Sequence, residues 1–297
     1  MKGKSTKRAK STPAPTQPAW SVQHIKTSDG VQLRYLEAGS GDPLVLLAGW
    51  TQSAEQYTSQ IAALSKRHRV IALDMRGHGG SEKPRFGYRI SRLAKDLHDV
   101  LVALDLKSVS LLGHSMGAAI IWSYWDLFGG ERLSRLVLVD QMPCAIVNPA
   151  WSPTELEEAG AIFTPAAVHE AVGAIASPQG EMVLRSMMAG ILGTQMSAED
   201  KERCIQRSLQ MPLDLAAKLM LNHAEQDWRD VIPRISVPTL LIFAKGSVIP
   251  WKCSTWLQQK IAGSRLEVME VAEGGEHFMF MTAEKRFNQL VVDFLAS

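Results

Sequence analysis

"SVSLLGHSMGAAIIWSYW", residues 108–125, changes character at its midpoint. Before Gly113 it is a short apolar run, as suits a strand covered on both faces. After Gly117 it reads as a largely apolar helix that opens with small residues. Between the two, Gly113 to Gly117 form a G-x-S-x-G pentapeptide. That spacing demands a sharp strand-to-helix turn, in which the small residues let the backbone pass closely and the Ser115 hydroxyl is pushed out above the sheet. A helix opening at Met116 adds unpaired N–H groups and the positive end of its dipole, which favour a developing oxyanion.

The surrounding chain has the matching rhythm. "VQLRYLEAG" alternates apolar and polar residues, the pattern of a half-buried antiparallel strand. "PLVLLAGW", "RVIALDM", "RLVLVDQ" and "PTLLIFA" are continuous apolar runs bounded by Gly, Pro or polar residues, expected as parallel strands. Amphipathic segments such as "AEQYTSQIAALSKR" and "ISRLAKDLHDVLVALD" separate them. Strand and helix in alternation predict an α/β fold with a mostly parallel sheet flanked by helices. The alternation stops after Asp140. Residues 142–232 contain helix-like segments, several opening on Ser, Thr or Asp as N-caps, and no convincing strand. The expected organisation is therefore a basic tail (1–19), an α/β core (20–141 and 233–297), and a helical lid inserted between its two parts.

Composition is that of an ordinary globular protein: 297 residues, 46% hydrophobic, 21% charged, net charge +2. Five of the first ten residues are Lys or Arg. The rest of the chain is slightly acidic, so no nucleic-acid surface is expected on the folded part. The Ser/Thr/Pro/Lys-rich tail is read as disordered and lacks the apolar stretch of a secretory signal. No run approaches the ~20 apolar residues that span a bilayer, so no membrane association is expected. Cys144, Cys204 and Cys253 show no metal or redox spacing, which fits a reduced, cytoplasmic protein without cofactor or metal, as monomer or homodimer.

With these residues in place, the chain from about Ile25 to Leu295 resembles the α/β-hydrolase fold family. "LLAGWTQSAEQY" matches the loop after the third strand, which in that family supplies a second oxyanion donor. The resemblance puts this role on the backbone N–H of Trp50, beside that of Met116. "LDMRGHGGS", Asp74 to Ser81, resembles the family's D-x-R-G-x-G-x-S loop and is read as a structural turn bordering the site, with His78 non-catalytic. Glu82, where a third glycine would be needed, excludes a dinucleotide fingerprint there.

A serine hydroxyl needs a base, and imidazole suits that task near neutral pH. Of eight histidines, His277 lies in a Gly-containing loop between the last strand and the last helix, where hydrolases of this fold carry theirs. His114 neighbours Ser115 but should point away from it. A third group must hold the imidazole in its tautomer. In most relatives it is a carboxylate after the strand "PTLLIFA", but here the corresponding position is Gly246. Glu276 and Glu273 are near His277 in sequence. Asp140 is the preferred acid, because it ends the strand "RLVLVD" at the carboxyl edge of the sheet, where α/β proteins place ligands. Some members of this fold use an acid at that earlier position. The loop at Gly246 and Ser247 is then left to serve as pocket wall.

The expected function is a serine hydrolase acting on a small hydrophobic ester or lactone through an acyl-enzyme on Ser115. Met187 and Trp151 from the insertion, with Trp50, His114, Met142 and Phe278, are expected to line the pocket; most of the other insertion methionines are read as packing. Two other readings stand beside it: a cofactor-independent dioxygenase that uses the His277–Asp140 dyad as base, and a non-catalytic ligand-binding protein. Dioxygenases of that kind carry a second histidine after the serine, where this chain has Met116.

Overall fold

A computed structural model describes residues 20–297. The basic tail expected at 1–19 lies outside them. Strands β1 (Ser21–Lys26), β2 (Gln32–Ala38), β3 (Asp42–Leu47) and β4 (His68–Leu73), with helix α1 (Thr58–Leu64) before β4, form the first half of the core. Next come α2 (Ile90–Ala103), β5 (Val109–His114), α3 (Met116–Phe128) and β6 (Leu133–Val139). Five helices follow before the next strand: α4 (Pro153–Ala159), α5 (Pro165–Ile175), α6 (Gly180–Ile191), α7 (Ala198–Ser208) and α8 (Leu213–Ala224). The sheet resumes with β7 (Thr239–Ala244), α9 (Cys253–Lys260) and β8 (Arg265–Met269), and the chain ends on α10 (Met279–Thr282) and α11 (Glu284–Ala296).

The eight strands lie in the order β1-β2-β4-β3-β5-β6-β7-β8. Only β1–β2 and β2–β4 are antiparallel, as the alternation in β2 implies, and every other pair is parallel. The wholly buried β5 and β7 match their unbroken apolar runs. Strand β8 ends earlier than "LEVMEVA" implies, because Val271–Glu273 close into a 3-10 turn held by a reciprocal Glu270–Glu273 cap. Register places Leu47 beside Gly113 and Val139 between His114 and Ile242. Four adjacent strands, β3, β5, β6 and β7, therefore end at one edge, about 5 Å apart from neighbour to neighbour.

Helix α2 buries Leu93, Leu97, Val100 and Leu101, one face of a 3.6-residue period, against α3. Each such leucine removed from water contributes roughly 1.5–3 kcal/mol. The inserted helices dock in two groups. Val168 of α5 and Leu215 and Leu219 of α8 join the core cluster of α2 and α3. Leu184 and Met188 of α6 and Cys204 and Ile205 of α7 join the cluster on α1 and α11. Their starts are marked as the sequence implies. Ser152 and Glu155 form a capping box ahead of α4, and Thr164 and Ser197 cap α5 and α7.

The Asp74–Ser81 loop is a structural brace. Asp74 accepts hydrogen bonds from the Ala54 and Gly80 backbones and from Arg34, and the buried Arg76 pairs with Asp96 and Asp29. His78 donates from Nδ1 to the Arg76 carbonyl at 2.9 Å, while its buried Nε2 has no partner among the described residues. Burial pushes the His78 imidazole down to about 4. In the unfolded chain it titrates near 6.5, so between these values the unfolded state binds more protons and folding stability falls as pH falls. We expect His78→Gln to flatten the pH dependence of the unfolding free energy between pH 6.5 and pH 4.5 by up to about 1.4 kcal/mol per pH unit, measured by urea denaturation at stepped pH. An unchanged slope would assign the acid sensitivity elsewhere.

Candidate active site

The turn at Ser115 is fixed by packing that tolerates no side chain on either side. A Cβ on Gly113 would come within 2.5 Å of the Gly117 backbone, and one on Gly117 within 2.4 Å of the Leu47 carbonyl oxygen at the end of β3. The chain can reverse only with Ser115 itself in the left-handed region, at φ 53 and ψ −125. Such a conformation costs ~1–3 kcal/mol and persists only where the surroundings enforce it. Here the Ser115 N–H donates to the Val139 carbonyl at 2.8 Å, and the Ala118 N–H to the Ser115 carbonyl at 2.8 Å.

One strand over, Asp140 leaves β6 with φ 51, its N–H held by the Ile242 carbonyl at 2.9 Å. Its side chain has no exposed surface. The Asp140 Oδ2 atom lies 2.7 Å from Nδ1 of His277 and accepts from the Ser247 hydroxyl at 2.5 Å. Burial pushes the Asp140 carboxyl above its ordinary range, against the pull of His277 and Ser247 toward the ionised form. Because a carboxylate can only accept, the contact fixes the proton on Nδ1 and leaves Nε2 of neutral His277 as the basic nitrogen. Ser115 and His277 line the same cavity. The Ser115 hydroxyl makes no protein hydrogen bond among the described residues; contacts of this kind commonly tighten only with substrate in place.

The two other carboxylates considered from sequence stand elsewhere. Glu273 is exposed and caps its own 3-10 turn. Glu276 is buried but turned toward the insertion, accepting from the Thr194 N–H at 2.6 Å, the Thr194 hydroxyl at 2.9 Å and the Gln195 N–H at 3.1 Å. It fastens the loop that carries His277 to the segment after α6. His114 holds that loop as well. Its Nε2–H donates to the His277 carbonyl at 2.9 Å, and the two rings are 4.5 Å apart. Desolvation, reinforced by His277, holds His114 well below the usual histidine range, and hence neutral.

The loop after β3 passes close to Ser115, where a Cβ on Gly49 would be 3.2 Å from the Ser115 Cβ. The next turn, closed by Gln52 N–H to the Gly49 carbonyl at 3.1 Å, sets Thr51 at φ 60. Neither the Trp50 nor the Met116 N–H donates to a protein acceptor among the loop, turn and cap bonds of the described residues. Side chains of this loop reach into the insertion: Trp50 Nε1 to the Ala216 carbonyl (2.9 Å), Thr51 Oγ1 to Ser208 Oγ (2.9 Å), and Gln52 Nε2 to Ser208 Oγ (2.8 Å) and the Cys204 carbonyl (3.1 Å).

A cavity of about 430 Å³ opens between this edge of the sheet and the inserted helices. Of the residues expected in its wall, Trp50, His114, Met142, Met187 and Phe278 are present. Trp151 is not. It stacks under the Arg229 guanidinium, 4.2 Å from the ring centre, in a cation–π contact away from the cavity. The loop after β7 also contributes differently from expectation. Val248 and Ile249 line the cavity, whereas Ser247 turns inward to Asp140, and a Cβ on Gly246 would lie 2.8 Å from the Gly275 carbonyl. Sequence reasoning missed Gln141, Phe163 and His223 in the cavity wall, and took Ser247 for pocket wall where the structure bonds it to Asp140. For Ser247 the signal was its position in the loop that ordinarily supplies the acid. Among the described residues no Asp, Glu, Lys or Arg lines the cavity.

A strand–helix elbow bearing serine, with a buried aspartate–histidine pair beside it at the carboxyl edge of a mostly parallel sheet, defines a hydrolase architecture. A family model described as the alpha/beta hydrolase fold matches residues 42–284, and the chain belongs to that family. It is similar to a protein of Synechocystis sp. provisionally named a non-heme chloroperoxidase, 29% identical over 276 residues that cover 91% of this chain and 97% of the relative. Among solved structures, an esterase from Exiguobacterium antarcticum superposes with a TM-score of 0.83 at 26% identity, covering 92% of this chain and 99% of that one. A bromoperoxidase from Bacillus anthracis shares the fold with a TM-score of 0.84 at 23% identity, covering 93% and 100%. No helix among the described residues is long and apolar enough to cross a membrane.

If Asp140 orients His277, Asp140→Asn should lower kcat by on the order of 10³-fold or more, by favouring the wrong imidazole tautomer. Glu276→Gln should lower it far less and act on stability instead, since it weakens charged hydrogen bonds worth roughly 1.5–3 kcal/mol each. Steady-state kinetics and denaturant midpoints on both variants decide. Equal losses of kcat, or the reverse order, would reassign the acid.

Proposed function

We propose that the protein hydrolyses uncharged, hydrophobic carboxylic esters or lactones through an acyl-enzyme on Ser115. The observation that carries this reading is the Asp140–His277 contact at 2.7 Å, with His277 and Ser115 lining one cavity that no charged side chain among the described residues lines. The likeness to an esterase at 26% identity supports it. In the first step the Ser115 oxygen bonds to the substrate carbonyl carbon while its proton passes to Nε2 of His277. Asp140 stabilises the resulting imidazolium, and the N–H groups of Trp50 and Met116 hold the oxyanion. Collapse of this intermediate breaks the bond to the alcohol oxygen, which takes the proton back from His277. For a lactone, that alcohol stays tethered to the acyl chain. Water, deprotonated by the same Nε2, then attacks the acyl-enzyme and releases the acid with Ser115 restored.

The apolar wall of Met142, Met187, Met188, Met220, Ile249 and Phe278 would hold a medium-sized acyl or alcohol group by burial. An anionic substrate would meet no cation there. A fluorophosphonate probe should label Ser115 stoichiometrically, read by mass spectrometry of the peptide that spans it. Neutral aryl esters or lactones should be turned over, and both activities should vanish in Ser115→Ala. Absence of the adduct in folded protein would sink the covalent mechanism. Oxygen uptake with heteroaromatic substrates would then point to base chemistry by the His277–Asp140 dyad, and its absence to ligand binding without turnover.

A further inference from the structure

Two polar groups in the cavity wall have atoms that the hydrolytic steps leave unused. Helix α8 places Met220, His223 and Ala224 along the cavity, across from the strand ends that carry Ser115 and Asp140. The His223 side chain is half-buried and its Nδ1 wholly so, and no protein hydrogen bond reaches either ring nitrogen among the described residues. Its helical neighbours are accounted for: Asn222 accepts from the Ile90 N–H at 2.8 Å, and Ala224 packs into the core. A buried polar atom without a partner costs ~1–3 kcal/mol, which leucine or methionine at this position would avoid. Burial alone pushes His223 down to about 4, so the ring is neutral and offers one donor and one acceptor.

The second group is Gln52. Its Nε2 is committed to Ser208 and the Cys204 carbonyl, which fixes the amide and leaves Oε1 buried without a donor. Gln52 also lines the cavity. Oε1 has no surface open to the cavity, so of the two groups His223 is the one that meets a ligand there, and a carboxylate would find at it one neutral N–H and no cation among the described lining residues. A hydroxyl suits the neutral ring, since it can donate to an acceptor and accept from an N–H.

We propose that His223 is a specificity-determining residue, hydrogen-bonding through Nε2 a hydroxyl group that the substrate carries away from its reacting carbonyl. This rests on the ester or lactone hydrolase reading and narrows it to uncharged, hydroxylated acyl substrates. A wall that was merely apolar would disfavour such a substrate, since a buried hydroxyl without a partner loses its water for nothing.

The test compares phenyl hexanoate with its singly hydroxylated analogues. At one hydroxyl position the wild-type protein should prefer the hydroxy ester by about tenfold in kcat/KM, the worth of one good hydrogen bond. In His223→Phe that ratio should fall below one, and His223→Gln should recover part of it. Binding of the inert ethers, phenyl hexyl ether and its hydroxylated analogues, is measured in parallel by tryptophan fluorescence, and the same preference in Kd is expected. A wild-type preference for the plain alkyl compound at every position overturns the proposal, as does a ratio that His223→Phe leaves unchanged. If no ester is turned over, the hydrolase reading fails by itself, and the ether affinities still decide the role of His223.

Discussion

A carboxylate with no exposed surface must be partnered or give up its charge, and much of the site is arranged around that requirement at Asp140. Removing such a group from water costs several kcal/mol unless hydrogen bonds replace the lost hydration. At Asp140 both replacements converge on Oδ2, from His277 and Ser247. Their loops follow β8 and β7, so the pairing depends on β6, β7 and β8 lying side by side. The loop bearing His277 is in turn held from two directions, by His114 on its carbonyl and by Thr194 and Gln195 on the neighbouring Glu276.

Backbone conformation shows the same concentration. Among the described residues, five that are not glycine have positive φ, and Thr51, Ser115 and Asp140 are three of them. Each follows the end of a neighbouring strand, where the chain must reverse at once instead of running on. The Thr51 loop is also bonded to α7 and α8 through Trp50, Thr51 and Gln52. Cavity wall and reacting loops thus share hydrogen bonds, and a change in either is felt by the other.

How legible the site was depended on how local its causes were. The serine elbow could be read because Gly113 and Gly117 answer a steric demand between near neighbours. Asp140 could be read because an apolar strand ending on an acid, set against an acid-free loop after β7, left few places for a carboxylate. Glu276 could not be placed, since its partners lie about 80 residues away and no pattern links them. Helical spacing in α8 puts Met220, His223 and Ala224 on one face but does not say which face meets the cavity. Trp151 misled for a related reason. A large aromatic next to an insertion reads as pocket wall, yet an arginine 78 positions later offers it a face-on cation. For Ser247 the composition of the loop was visible, whereas the rotamer that turns its hydroxyl to Asp140 was not.

Gly246 limits where a carboxylate can stand at this edge of the sheet. Its N–H donates to the Gly275 carbonyl, and any side chain at 246 would drive its first carbon to 2.8 Å from that same oxygen, two residues before His277. A carboxylate introduced there to recreate the commoner triad would displace the very histidine it was meant to serve. A carboxylate beside His277 fits at Asp140, which already lies 2.7 Å from Nδ1, and not at 246 while the Gly275 carbonyl stays in place.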